Sequence, residues 1–137
     1  MYPGLHVQTR ANQPAVIMAG SGETITYGEL EARTNRLARF FRSRGLKRLD
    51  HYAIFMENNA RYIECCGAGE QLGLYISCIN SYLAADELAY IADNCDAKIL
   101  IFSQAARGCA GRLAALPEGR NRPVRGRAGR GRRRAQS

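Results

Sequence analysis

Two glycine-rich stretches have residue types that could bind a phosphate group. Residues 67–73, Gly-Ala-Gly-Glu-Gln-Leu-Gly, differ by one residue from a dinucleotide-binding fingerprint, which needs glycine where Leu72 stands. That fingerprint leads from a strand into a helix, whereas these glycines fall late in a predicted helix. Gly20 and Gly22 are not followed by the lysine and hydroxyl residue of a P-loop. We therefore interpret both stretches as structural.

Other residue types that perform catalysis or bind metals are scattered along the sequence. His6, in an irregular N-terminus, and His51 have no acid or cysteine at ligand spacing. The serines lack a G-x-S-x-G elbow. The five cysteines form no C-x-x-C pair and are interpreted as buried thiols in a reducing compartment. We assign no catalytic, cofactor-binding or metal-binding residue.

Almost all of the positive charge lies at one end of the chain. The net charge of +8 divides into +7 for residues 117–137, with eight arginines and Glu118, and +1 for residues 1–116. The N-terminus lacks the apolar region of a secretory signal, and no apolar run approaches the roughly 18 residues of a membrane span. These features predict a cytoplasmic protein with a nearly neutral body and no transmembrane segment.

The stretch "ITYGELEARTNRLARFFRSRGL", residues 25–46, predicts a helix with both ends marked. Thr26 and Glu29 have the spacing of a capping box, and Gly45 suits a left-handed helix end. The apolar stripe consists of Leu30, Leu37 and Phe41. The arginines of this helix are interpreted as a solvated face, with an anion-binding patch as the alternative. Before it, strands at 15–18 and 24–26 predict a hairpin.

After this helix, apolar strands alternate with helices. Strands are predicted at 51–57, 74–79 and 98–102, and helices at 58–73, 84–95 and 104–116. In the helix 58–73 we expect Tyr62, Ile63 and Cys66 to face the sheet. The alternation predicts an α/β fold, an incomplete parallel-sheet layer with flanking helices. Its last strand, 98–102, is expected to lack its natural neighbours and to aggregate.

The periodic pattern stops after Leu116. Sixteen of the 21 residues from 117 to 137 are Arg, Gly, Ala or Pro, so we predict a disordered tail beyond a domain at 1–116. All-G/C codons encode these residues, and a frameshift in a GC-rich gene is the preferred origin of the tail. A nucleic-acid-binding arm is the second interpretation, although no aromatic residue follows Phe102 for base stacking.

The block "ITYGELEARTNRLARFFRSRGL" resembles the first conserved block of the adenylate-forming superfamily, the AMP-forming acyl-CoA synthetases. Its matching positions include Thr26, Tyr27, Glu29, Asn35 and Arg36. Residues 50–101 resemble the next stretch of the fatty-acyl-CoA ligase branch, with "NNARYIE", "GLY", "IN" and "DELAYI" in order. The resemblance covers about residues 12–105. It implies the N-terminal domain of an adenylate-forming enzyme.

The resemblance implies ATP-dependent ligation of a fatty or other carboxylic acid to coenzyme A, through an acyl-adenylate, with release of AMP and pyrophosphate. ATP, Mg²⁺ and CoA would serve the full-length family. The family's Ser/Thr/Gly-rich loop ending in Pro-Lys-Gly is missing, and the only lysines are Lys47 and Lys98. We therefore expect a truncated fragment that is inactive alone. The alternatives are a nucleic-acid-binding module using the tail, and a regulatory fragment pairing through its open sheet edge.

Overall fold

A computed structural model describes residues 3–112 and 124–127 of the chain. The amino-terminal part consists of a 3-10 turn at Pro3–His6, the short helix α1 (Val7–Arg10) and a hairpin of β1 (Pro14–Ile17) and β2 (Thr24–Thr26). The helix α2 (Tyr27–Ser43) follows β2 directly. The hairpin is antiparallel, with Val16 opposite Ile25, which confirms the predicted hairpin. The helical turns before it differ from the irregular N-terminus expected around His6.

The ends of α2 are fixed as the sequence predicts. The amide of Glu29 donates to Thr26 Oγ1 at 3.2 Å, and the amide of Thr26 donates to Glu29 Oε2 at 3.0 Å. These two bonds satisfy amides that the first helical turn leaves without partners. Gly45 has a φ of 82°, the left-handed conformation that favours glycine after a helix end.

The main sheet is parallel and has the strand order β4-β3-β5-β6. Its elements are β3 (His51–Phe55), α3 (Ala60–Leu72), β4 (Tyr75–Ile79), α4 (Ala85–Asn94), β5 (Ile99–Phe102), α5 (Arg107–Arg112) and β6 (Val124–Arg127). In register, Ile54 of β3 lies beside Cys78 of β4 and Ile101 of β5. The predicted α/β class with parallel strands and flanking helices is confirmed.

Alternating residues of β3 and β5 build a separate apolar core on each face of the sheet. On one face, Tyr52 and Ile54 pack with Phe41 of α2 and Ala68 of α3. On the other face, Phe55 and other strand residues pack with Leu88 of α4 and Ala110 of α5. The chain is therefore layered as helices, sheet, helices, the arrangement that right-handed crossovers give to a parallel sheet.

The open edge of the described sheet differs from the one predicted. The strand expected to lack neighbours, β5, lies between β3 and β6. The described sheet ends in β4 on one side and β6 on the other. β4 was predicted to be buried, yet its Tyr75 and Cys78 are exposed. Sequence reasoning missed this because β4 and β5 both pair with β3, and apolar content alone does not rank their positions in a sheet.

Helix α3 is rotated relative to the prediction. Ile63, expected to face the sheet, is 44% exposed, and the buried side is formed by small or polar residues such as Cys65, Gly67 and Ala68. The reason is close packing: a Cβ on Gly67 would lie 3.1 Å from Thr34 Oγ1 of α2. Tyr62 and Cys66 are partly buried against the core, as predicted.

The tail is described only in part. Residues 124–127 form β6, parallel to β5, with Val124 beside Ile99. This strand differs from the disorder predicted throughout 117–137, and backbone pairing explains it, because a ladder needs no apolar sequence. The remaining predicted tail residues lie outside the described part, as do residues 113–116 of the last predicted helix. No helix within 3–112 is both long and apolar enough to cross a membrane.

Candidate functional site at the carboxyl ends of the parallel strands

Polar residues follow the carboxyl ends of β3, β4 and β5, and they lie together at that end of the sheet. β3 is followed by Glu57 and Asn58, β4 by Asn80, and β5 by Ser103. The chain leaves β3 toward α3 on one face of the sheet and leaves β5 toward α5 on the other face. Such a switch between neighbouring strands opens a crevice, the usual place for ligands in parallel α/β sheets.

A carboxylate and a hydroxyl meet at this switch point. Ser103 Oγ donates a hydrogen bond to Glu57 Oε2, and the amide of Ala106 donates to Ser103 Oγ at 3.1 Å. Asn59 Nδ2 donates to Glu57 Oε1 at 3.2 Å. The Ser103 hydroxyl, and to a lesser degree Asn59, lowers the pKa of the Glu57 carboxyl. Glu57 is therefore ionised at neutral pH and serves as an acceptor, not as a general acid.

The neighbouring loops are fixed by local caps. Asn59 Oδ1 accepts from the amides of Arg61 and Tyr62 at 2.9 and 3.2 Å, which starts α3. Asn80 Oδ1 accepts from the amide of Tyr82 at 3.0 Å. In both asparagines the side-chain oxygen therefore accepts hydrogen bonds from the backbone. Their structural role accounts for the residue type without a ligand.

An open cavity of about 480 Å³ lies beside this edge, between the ends of β3 and β4. Its polar lining comes from Glu57, Asn58, Asn80 and Ser81, and its apolar lining includes Met56 and Ile79. A cavity of this size holds a small molecule. Its charged group is the Glu57 carboxylate, Cys78 adds a thiol, and the lining contains neither a histidine nor a lysine.

The sequence analysis predicted a functional role for neither Glu57 nor Ser103. Ser103 was set aside for lacking a catalytic motif, and Glu57 was treated as the end of a strand. The two residues are 46 positions apart. Their positions could have predicted the contact, because both residues follow apolar strands. The carboxyl ends of parallel strands lie at the same end of a sheet.

The glycines and histidines weighed in the sequence take structural roles. A Cβ on Gly69 would lie 2.2 Å from Tyr52 Oη, so the glycine stretch of α3 packs against the sheet, as predicted. Gly22 turns the hairpin with a φ of 69°. His6 packs on Tyr27, with ring centroids 5.3 Å apart, and His51 packs on Tyr75 at 4.8 Å.

The cysteines are unpaired thiols, and the prediction that all five are buried is wrong for Cys78, which lies on the edge strand β4. Cys65 is buried, Cys66 is half-buried beside it on α3, and Cys78 is exposed on β4. Burial raises the pKa of the Cys65 thiol to about 12 and that of Cys66 to about 11. Neither is a nucleophile at neutral pH, because the thiolate is the reactive form.

The two lysines of the chain lie away from the crevice. Lys98 precedes β5 and pairs its Nζ with Asp50 Oδ1 at 2.6 Å, and Lys47 precedes β3. Both lysines thus lie at the amino ends of the strands, opposite the crevice. Within 3–112 and 124–127, no group of three or more His, Cys, Asp or Glu side chains could hold a metal ion.

Comparison with known proteins identifies the family. A model of the AMP-binding enzyme family matches residues 5–128. The chain is 34% identical to 3-oxocholest-4-en-26-oate–CoA ligase of Rhodococcus rhodochrous over 86 residues, which are 63% of this chain and 16% of the relative. It is 31% identical to human long-chain fatty acid transport protein 1 over 96 residues, 70% of this chain and 15% of the relative.

Solved structures share the fold. Mycobacterium tuberculosis fatty acyl CoA synthetase aligns with a TM-score of 0.81 at 20% identity, covering 90% of this chain and 26% of that structure. The N-terminal domain of FACL13 from Mycobacterium tuberculosis aligns with a TM-score of 0.75 at 22% identity, covering 86% and 31%. The chain spans about one sixth of the length of those two sequence relatives. It therefore belongs to the AMP-binding enzyme family.

Proposed function

We propose that this chain is a scaffold portion of an ATP-dependent ligase that joins a fatty or other hydrophobic carboxylic acid to coenzyme A. The full-length enzyme would convert acid, ATP and CoA to acyl-CoA, AMP and pyrophosphate, with Mg²⁺ as cofactor. The family match over residues 5–128 carries the reaction class. Two relatives are named as CoA ligases of 3-oxocholest-4-en-26-oate and 3-hydroxybenzoate, which are carboxylic acids of different shape.

We propose further that the chain does not catalyse this reaction alone. The supporting observation is the position of its two lysines, both at the amino ends of the strands, with Lys98 engaged by Asp50. Stabilising charge on a transferring phosphate needs donors aimed at it. The crevice at the opposite edge offers the carboxylate Glu57, which would repel a phosphate group rather than attract it.

Acid-dependent ATP–pyrophosphate exchange tests the proposal. The purified chain is incubated with ATP, Mg²⁺, labelled pyrophosphate and either palmitate or benzoate, and an intact ligase of the family is the positive control. We expect no exchange above the background without acid. Exchange that rises with acid concentration would show that residues of this chain suffice to bind ATP and activate a carboxylate.

A genetic observation tests the preferred origin of the tail. The nucleotide sequence after the codon for Leu116 is translated in the other two frames. We expect one frame to encode a Ser/Thr/Gly-rich loop ending in Pro-Lys-Gly. If neither frame continues the family's sequence, the frameshift origin is wrong, and the domain boundary at residue 116 loses its support.

We propose a cytoplasmic location because all five cysteines are free thiols, as is usual in a reducing compartment.

The arginine-rich tail supports nucleic-acid binding as the second candidate function, through its charge of +7. That function predicts RNA binding that weakens steeply with salt and that disappears when the tail arginines are replaced by glutamine. RNA binding that survives this replacement would exclude the tail as its origin.

A further inference from the structure

A second concentration of positive charge lies on the body of the chain, at the end of α2 and in the loop after it. Between Glu31 and Asp50 the sequence contains no acid. The cations of this region that are exposed are Arg36, Arg39, Arg42, Arg44, Lys47 and Arg48. We call these six residues, together with Leu49, the α2 basic surface.

The helix arranges half of these cations in one row. Arg36, Arg39 and Arg42 follow one another at intervals of three residues, and each step turns about 60° around the helix axis. The row is about 9 Å long, from six residues at roughly 1.5 Å per residue. The buried Phe41 lies about 160° around the helix from Arg39 and about 140° from Arg36. Arg42 flanks the buried side and is exposed. The row therefore faces away from the core.

The six cations of this surface form none of the close ion pairs described in the structure. Arg33, on the same helix, donates to Glu64 Oε1 at 3.1 Å. Arg44 instead lies over the ring of Phe40, 5.2 Å from its centroid. Lys47 is close enough to Asp50 to help lower the pKa of that carboxyl. The five arginines create a local field that attracts an extended anionic partner.

An apolar side chain is exposed at the end of the same surface. Leu49 is 56% exposed and has a φ of 72°, unusual for a residue with a branched side chain. Its amide donates to the carbonyl of Gly73 at 2.8 Å, which fixes the loop. Cations beside a projecting leucine match an anionic bilayer, because the charges meet lipid headgroups while the leucine enters the acyl boundary.

We propose that the α2 basic surface docks this chain onto a bilayer that contains anionic lipids. Single-stranded RNA is the less suitable partner, because it needs exposed aromatic rings on which bases stack. The aromatic residues between Arg33 and Leu49 are Phe40, which Arg44 covers, and Phe41, which is fully buried. The exposed ring of Tyr75, whose amide donates to the carbonyl of Asp50 at 2.9 Å, packs on His51. The negatively charged cytoplasmic leaflet fits the location proposed above.

Two charge-matched variants of the full chain test the proposal. Arg39→Gln/Arg42→Gln removes two charges from the surface, and Arg10→Gln/Arg107→Gln removes two charges from other exposed arginines. Cosedimentation uses vesicles of phosphatidylcholine with about one third phosphatidylglycerol, at salt near 0.1 M. At roughly 1 kcal/mol per cation, we expect about a thirtyfold loss of affinity for the first variant. The second variant should lose much less.

The arginine-rich tail is identical in both variants, so its contribution cancels. Leu49→Asn, which tolerates a positive φ, should weaken vesicle binding without changing the melting temperature. Equal losses for both double variants would show that net charge alone acts, and the proposal would be wrong. Equal binding to pure phosphatidylcholine vesicles would also overturn it. So would binding of a poly(U) RNA that depends on Arg39 and Arg42 when vesicle binding does not.

Discussion

At Gly69 the backbone of α3 packs directly against the ring of Tyr52, with no space for a side chain. A Cβ there would lie 2.2 Å from Tyr52 Oη and 2.6 Å from its Cε1. The ring has no room to move, because it is fully buried, contacts Phe41 at 4.8 Å between centroids, and donates its hydroxyl to the carbonyl of Cys65 at 2.6 Å. Burial also raises the pKa of the Tyr52 hydroxyl, so it remains a donor.

Gly69→Ala should therefore destabilise the chain, although alanine favours helices. We expect overpacking to cost about 1–3 kcal/mol, against a propensity gain of at most about 1 kcal/mol, so that the variant is less stable overall. Urea unfolding followed by circular dichroism measures it. Gly108→Ala in α5 is the matched control, because a Cβ there has no neighbour within 4 Å, and it should be neutral or stabilising. Equal stability of the two variants would contradict the close contact.

Glu64 joins two arginines from different elements. Its Oε1 accepts from Arg33 of α2 at 3.1 Å and from Arg61 of α3, and its side chain is 11% exposed. Glu64→Gln leaves the partly buried Arg33 with only the longer contact to Glu23 Oε1, at 4.0 Å. We therefore expect a loss of about 1–3 kcal/mol in the free energy of unfolding. Arg61→Gln should cost less, because Arg61 is 43% exposed. The same urea titration ranks the two variants.

At the scale of elements, α2 and α4 begin with the same backbone conformation but different capping. Thr26 before α2 has φ −77° and ψ 164°, and Ala84 before α4 has φ −73° and ψ 166°. In α4 the amide of Ala84 donates to Glu87 Oε2 at 2.9 Å, the same return bond as in α2. Alanine has no side-chain oxygen, so the amide of Glu87 receives no cap.

Ala84→Ser should supply the missing half of this capping box. We expect stabilisation of about 0.5–1 kcal/mol, because a serine oxygen at the exposed N-cap accepts from the amide of residue 87. Ala85→Ser, one position inside the helix, is the control and should not stabilise, since serine is a weaker helix former than alanine. A shift of the urea midpoint measures both. If both variants respond alike, side-chain capping at residue 84 does not occur.

Local patterns predicted the elements, and long-range packing decided what the patterns left open. The T-x-x-E spacing and Gly45 fixed both ends of α2, because caps depend on neighbours within a few residues. The prediction of which side of α3 is buried was wrong for Ile63. The buried side is formed by small residues, among them Gly67 against Thr34, and hydrophobicity does not identify such residues. The Glu57–Ser103 contact joins two strand ends, so it follows from sheet order rather than from any local motif.

At the scale of the whole molecule, the described sheet has an open edge at β4. An edge strand presents unpaired backbone groups to other chains and promotes aggregation unless charges or prolines protect it. β4 has the sequence Tyr-Ile-Ser-Cys-Ile, which contains neither. We therefore expect marginal stability, with no cooperative melt above about 45 °C, the low end for mesophilic domains.

A lysine at the start of this edge should reduce self-association. Tyr75 is 55% exposed at the first position of β4, and Tyr90, 71% exposed on α4, gives a matched control away from the edge. Tyr75→Lys and Tyr90→Lys change the net charge and the apolar surface alike. Because like charges oppose edge-to-edge pairing, Tyr75→Lys should slow the rise of light scattering on warming more than Tyr90→Lys. Equal slowing would show that charge and exposed apolar area govern aggregation, and that the open edge of the sheet does not.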